Sequence, residues 1–140
     1  MDTDIDEGID ADTVKEYIGG LNTRAAGARK EETACRYLEK QGVQIKERNF
    51  RCRQGEIDVI GCDGDYLVAF EVKYRKDASM GSAAEAVGYG KQRKICRVFD
   101  YYRMIHRCPG NQPVRFDVIA MDGDQMKWIK NAFPYQGSMH

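Results

Sequence analysis

Between Gly55 and Arg75 the chain carries two apolar runs separated by Asp63-Gly64, and this pair constrains what the rest can become. Ile57–Ile60 and Leu67–Val72 are rich in β-branched and aromatic residues, the composition of strands. Asp-Gly between such runs is a short-range hairpin signal, because glycine tolerates the positive φ of tight hairpin turns. Side chains alternate along a strand. Glu56, Asp58 and Ile60 are therefore expected on one face of the first strand, with Ile57 and Val59 on the other. On the second strand Leu67, Ala69, Glu71 and Lys73 share a face, with Val68, Phe70, Val72 and Tyr74 behind them.

A two-residue Asp63-Gly64 loop pairs Cys62 with Asp65, Ile60 with Leu67, Asp58 with Ala69 and Glu56 with Glu71. Three carboxylates and one lysine then gather on one side of the hairpin. Asp58 lies diagonal to Glu71 at roughly 7–8 Å between backbones, a span that two carboxylates close around one cation. Like charges facing each other destabilise a sheet, so the cluster needs a cation or open water. A solvated polar face is the ordinary reading of a half-buried hairpin. Against it, Glu71 and Lys73 sit inside Leu67–Lys73, the most hydrophobic run of the chain.

The flanking segments supply the rest of an α/β domain. Arg24–Gln41 reads as a helix capped by Asn22 or Thr23 and stopped at Gly42, with Gly27, Glu31, Ala34, Cys35 and Leu38 on its inward stripe. An inward carboxylate is costly without a partner, so Glu31 either pairs with an arginine or joins the hairpin acids. Val43–Cys52 alternates as a strand leading into the hairpin. Its Arg48 and Arg51, with Arg53 just beyond, either contact phosphates or offset nearby acids. Ser82-x-x-Glu85 is a capping box expected to open a long helix reaching Ile105, with a basic cluster at Lys91, Arg93, Lys94 and Arg97. Gly88 and Gly90 each cost about 1 kcal/mol in a helix, so a kink or close packing is expected there. Val114–Met121 and Gln125–Lys130 form a second hairpin, with Asp117 read as a structural partner for an arginine. The expected order is helix, three strands, long helix, two strands, forming an α/β sandwich around a mixed sheet.

Composition excludes several classes. The 140 residues, 42% hydrophobic and 31% charged, suit one soluble globular domain. No apolar run approaches the ~18 residues of a membrane helix, and the acidic start is unlike a secretory signal; no membrane partner and a cytoplasmic location are expected. Five cysteines with no CxxC, and only two histidines, fit neither a disulfide framework nor a zinc site. Formal net charge is zero, yet residues 1–23 hold seven acids and one lysine, leaving 21 bases and 15 acids elsewhere, a net of +6. A basic domain binds polyanions through counterion release. The domain is placed at 24–133, between an acidic and largely disordered tail at 1–23 and a short tail at 134–140. The acidic tail reads as a solubility feature or as a cover for the nucleic-acid surface.

Asp58 followed by Glu71-x-Lys73 resembles the active-site signature of the PD-(D/E)xK nucleases. A longer ordered series runs through Gly27-x-x-x-Glu31, Arg48-Asn49-x-Arg51, Gly55-Glu56-Ile57-Asp58, Glu71-Val72-Lys73-x-Arg75, Ala84-Glu85-Ala86-Val87, Arg115-Phe116-Asp117-Val118 and Asn131-Ala132-Phe133. It resembles the YraN-like family (UPF0102), bacterial proteins described as predicted endonucleases related to Holliday junction resolvases. Two positions depart from the pattern: Ile57 stands where the superfamily's proline can precede Asp58, and Lys30 where the family usually has a second glycine.

The resemblance implies a restriction-endonuclease-like α-β-β-β-α-β(-β) core. It implies catalytic Lys73, Asp58, Glu71 and Glu31, the three acids being metal ligands and Glu56 an accessory. A polar residue on the long helix is also implied to point at the site, Lys91 first and Gln92 second. Carboxylates without His or Cys suit Mg²⁺ or Mn²⁺. The expected reaction is metal-dependent hydrolysis of phosphodiesters in DNA, with branched or repair structures implied by the family alone. Arg48, Arg51, Arg53, Arg75 and Lys94 are the expected nucleic-acid contacts, and a homodimer is compatible with the reading. The alternative is a module of DNA processing that binds nucleic acid, or assembles with a partner, without cutting.

Overall fold

The computed structural model describes residues 23–75, 87–122 and 125–137, with the backbone alone at 23–28, 75 and 122. The acidic tail, the Ser82/Glu85 capping box and the tip at 123–124 lie outside the described residues. In chain order the elements are α1 (Thr23–Lys40), β1 (Gln44–Cys52), β2 (Gly55–Asp63), β3 (Tyr66–Arg75), α2 (Tyr89–Ile105), β4 (Val114–Asp122) and β5 (Gln125–Ile129). The strands form one mixed sheet in the order β1-β2-β3-β4-β5. All neighbours are antiparallel except β3 and β4, whose parallel pairing needs the long crossover that α2 supplies. This is the expected α/β class and element order.

The register of the central hairpin differs from expectation. Asp63 pairs with Tyr66, Cys62 with Leu67, Ile60 with Ala69 and Val59 with Phe70. The loop is thus Gly64-Asp65, with φ 63° at Gly64 and none of the positive values at Asp65, as in a type II′ turn with glycine at its first position. Moving the loop by one residue slides the partner strand by two, the side-chain period, so Glu71 keeps its face. Continuing the register sets Asp58 across from Glu71 rather than diagonal to it. The pairing stops short of that step, and Asp58 Oδ2 accepts the Val72 N–H at 2.9 Å instead.

Alternation in β2 also slips at Asp58. Ile57 joins the same core cluster as Ile60, whereas Val59 joins the opposite one. Across the ladder, Asn49 adopts φ 55° and is skipped between the pairs Arg48–Val59 and Phe50–Ile57. A local irregularity of this kind re-aims side chains.

The helices cover opposite faces. Ala34, Cys35, Tyr37 and Leu38 of α1 pack on Val59, Val68, Phe70, Ile119 and Met121. Ile95, Cys96, Val98, Phe99 and Tyr102 of α2 pack on Ile60, Leu67, Ala69, Phe116 and Val118. Burying these side chains contributes roughly 1.5–3 kcal/mol each for the larger ones. The helix α2 begins at Tyr89, after an extended Gly88 with φ −64° and ψ 162°, so α2 does not reach back past Gly88. Gly88 and Gly90 fall at the start instead of the interior, where their helix-breaking cost is small. Ile105, the last residue of α2, is 46% exposed. Among the described residues no helix is long and apolar enough to cross a membrane.

Asp117 is fully buried. It receives the Arg115 guanidinium through three contacts of 2.8–3.2 Å, the Trp128 Nε1–H at 2.8 Å and the Asn131 N–H at 2.9 Å. Arg115 also reaches Asp63 at 2.7 Å. Asp117 is therefore the arginine partner that its apolar setting suggested, tying β4 to β5 and to the hairpin tip.

Candidate metal centre

Two elements, α1 and β2, deliver acids to one point. Gly55, at φ 147°, is a conformation glycine alone adopts freely; it ends the β1–β2 turn and sends Glu56 and Asp58 toward α1. The inward stripe of α1 supplies Glu31. One oxygen from each of Glu31, Glu56 and Asp58 lies within 4.8 Å of the other two, all three residues being partly buried. Glu31 also meets the Asn49 side chain, so the irregular residue of β1 forms part of the wall.

Glu71 is the most buried acid of the region, its side chain 6% exposed, and it does not join that trio. Its Oε2 lies 2.6 Å from Lys91 Nζ, on the first turn of α2. Of the expected ligands, Glu31 and Asp58 stand in the trio beside Glu56, the expected accessory, while Glu71 pairs with a lysine. Lys91 is the residue of the long helix that reaches Glu71. Gln92 turns away, donating to the Val87 carbonyl at 2.8 Å and accepting from Gln136.

Two cavities meet here. One, of about 480 Å³, is lined by Gly55, Glu56, Asp58, Glu71, Lys91 and Lys94 among others. The second, of about 300 Å³, is lined by Lys30, Glu31, Asp58, Glu71, Lys73 and Lys91 among others. Asp58, Glu71 and Lys91 belong to both. Lys73 is half-buried and faces the same space as Glu31 and Asp58.

The electrostatics follow from the crowding. Burial first, then the Glu71 charge, with a smaller push from Glu56, raise Asp58 to about 7, against the opposing effects of the Val72 N–H and Lys91. Burial and the charge of Asp58 likewise raise Glu31, although its Asn49 contact favours the ionised form. Burial works against the charge of Lys91. Its bond to Glu71, with Asp58 and Glu56 nearby, outweighs that and raises its pKa. These are the shifts of carboxylates held together without enough positive charge.

The expected nucleic-acid contacts divide. Arg48 binds Glu32 at 2.9 Å and Arg51 binds Glu56 at 3.3 Å, so both offset acids. Arg53 is exposed in the β1–β2 turn, Lys94 lines the larger cavity, and the side chain of Arg75 lies outside the described residues. Sequence reasoning missed Asn49 as a wall residue; its only signal was its place in Arg48-Asn49-x-Arg51. It also found nothing after Phe133, where Tyr135 Oη donates to Asp100 at 2.8 Å and the Gln136 N–H to Cys96 Sγ at 3.2 Å. All five cysteines are free.

Residues 30–121 match the family model described as "Uncharacterised protein family UPF0102". A UPF0102 protein of Lachnoclostridium phytofermentans is 44% identical over 118 residues, spanning 84% of this chain and 100% of the relative. Another from Janthinobacterium is 44% identical over 107 residues, spanning 76% and 85%; one from Colwellia psychrerythraea is 46% identical over 110 residues, spanning 74% and 84%. On these matches the chain belongs to the family UPF0102.

Proposed function

We propose that this protein is a divalent-metal-dependent phosphodiesterase that cuts DNA, with Mg²⁺ or Mn²⁺ held by Asp58, Glu31 and Glu56 and joined by Glu71. The observation that carries the reading is the meeting of three partly buried carboxylates within 4.8 Å of one another, two of which, Glu31 and Asp58, line a cavity together with Lys73. The donor set fits the ion. It is all oxygen, the preference of hard cations, and a bound cation offsets the burial and the neighbouring negative charge that raise Asp58 and Glu31.

A divalent ion there supplies Lewis-acid polarisation of a phosphoryl oxygen and a more acidic bound water. The chain's own residues supply the rest. Lys73 orients the attacking water and offsets negative charge that grows on the phosphoryl oxygens in the transition state. Lys94, on the wall of the larger cavity, neutralises a backbone phosphate. Asp58, tethered to the Val72 N–H, keeps one oxygen fixed and presents the other, which lowers the cost of ordering the site. Branched or repair substrates extend this reading by family analogy alone.

The test is incubation with duplex, single-stranded, flap and junction DNA and with RNA, each under EDTA, Mg²⁺ and Mn²⁺. Cleavage of at least one DNA under metal, none under EDTA, and its loss in Asp58→Asn are expected. Binding without cleavage across the whole panel would transfer the fold to a non-cutting module.

A further inference from the structure

The 2.6 Å contact between Lys91 Nζ and Glu71 Oε2 places a positive group on the one acid that stands apart from the carboxylate trio. We infer that Lys91 is a built-in counter-cation of the metal-free site, and that it exchanges Glu71 for a substrate phosphate when the metal binds. This rests on the metal-site reading above and deepens it.

Three observations carry the inference. Glu31, Glu56 and Asp58 already lie within 4.8 Å of one another, while Glu71 is outside that group. The Glu71 side chain is 6% exposed and that of Lys91 is 48% exposed; the acid is fixed in the sheet and the ammonium has room to leave. A buried carboxylate left without a partner is strongly unfavourable, so Glu71 needs one cation at every stage, and either Lys91 or a metal ion satisfies it.

The direction in which Lys91 leaves is also defined. Lys91 lines both cavities beside Asp58 and Glu71, and Lys94, one turn further along α2, lines the larger one. An ammonium released from Glu71 is therefore beside a second lysine in an open cleft, a pairing suited to a phosphodiester anion. Metal and phosphate binding become coupled through one side chain. Each then strengthens the other by the same factor, as linkage requires.

The experiment compares wild type, Lys91→Met and Lys91→Arg. Calorimetric titration with Mn²⁺ alone is expected to give at least about fivefold tighter binding to Lys91→Met than to wild type, because the competing charge is gone; Lys91→Arg returns toward the wild-type value. Melting without metal is expected to fall in Lys91→Met and to recover under saturating Mn²⁺. A purely structural lysine would lower melting equally with and without Mn²⁺. Affinity for a phosphorothioate-substituted, cleavage-resistant DNA duplex is expected to rise several-fold more on adding Mn²⁺ in wild type than in Lys91→Met. Equal or weaker Mn²⁺ binding by Lys91→Met overturns the exchange and leaves the metal site standing. An equal Mn²⁺-dependent gain in duplex affinity overturns the handover to phosphate. Failure of all three proteins to bind Mn²⁺ overturns the metal site and the exchange together.

Discussion

Asp58 Oδ2 accepts the backbone N–H of Val72 at 2.9 Å, just past the last paired residues of β2 and β3, Val59 and Phe70. The carboxylate therefore replaces a rung of the sheet and faces the acid cluster at the same time. Its charge opposes folding, because Asp58 is buried among other acids, while its hydrogen bond supports folding. The two contributions can be separated by substitution.

Asp58→Asn keeps an acceptor for Val72 and removes the charge, whereas Asp58→Ala loses both. Without metal at neutral pH and above, the asparagine variant is expected to be more stable than the alanine variant by about 1 kcal/mol, the usual net worth of one hydrogen bond. Neither should show the Mn²⁺-induced stabilisation of wild type. Chemical denaturation with and without Mn²⁺ reads both effects; a full Mn²⁺ shift in either variant contradicts the assignment of Asp58.

The pH dependence has a definite sign. Asp58 is raised from 3.8 to about 7, and Glu31 shifts the same way. Between those values of Asp58 the folded state binds more protons than the unfolded, so the Asp58 contribution to stability is complete below about pH 4 and is lost as pH rises through about 7. Metal-free wild type is expected to lose melting temperature relative to Asp58→Asn across that window, while Mn²⁺ restores it at the upper end. Parallel melting curves for the two proteins from about pH 4 to 8 would contradict the shift.

Much of this arrangement was legible in the chain. Alternation placed Glu71 and Lys73 on one face of β3, helical spacing placed Glu31 inward, and Asp117 in an apolar setting pointed to its arginine. The hairpin register was misread because Asp63-Gly64 fits a turn with glycine second, while the chain uses Gly64 first; both turns satisfy the same dipeptide. The slip of Ile57 onto the other core depends on a backbone irregularity opposite Asn49 that no side-chain period encodes. The long helix expected through Gly88 and Gly90 is broken at Gly88, which is extended; the capping signal that suggested an earlier start does not weigh the cost of helix through two glycines. That Lys91 holds Glu71 was hidden for a different reason: the pair spans two elements, and only the packing of α2 over β3 brings them together.

Asp117 offers a structural control. Asp117→Ala leaves the Arg115 guanidinium, only 12% exposed, with Asp63 alone, and the Trp128 and Asn131 N–H groups without their acceptor. A loss of roughly 3–5 kcal/mol is expected, with Mn²⁺ affinity of the folded protein unchanged because these residues are absent from both cavities of the site. A mutant that melts normally, or one that loses Mn²⁺ binding while folded, contradicts this division of roles.

Deleting residues 1–23 removes seven acids and one base. Duplex affinity is expected to rise at low salt, and the gain to shrink toward high salt as screening shortens the reach of the tail's charge. Identical affinities across a salt series would reduce that segment to a solubility feature.

The central claim, that these residues cut DNA, is tested most directly at Lys73. Single-turnover cleavage under Mn²⁺ compares wild type with Lys73→Ala on whichever DNA of the panel is cut. A residue that acts mainly in the transition state is expected to lower the rate by about 100-fold or more while leaving duplex affinity nearly intact. The contradicting result is no cleavage by wild type with any divalent metal, together with a Lys73→Ala protein whose only change is weaker and less salt-dependent binding.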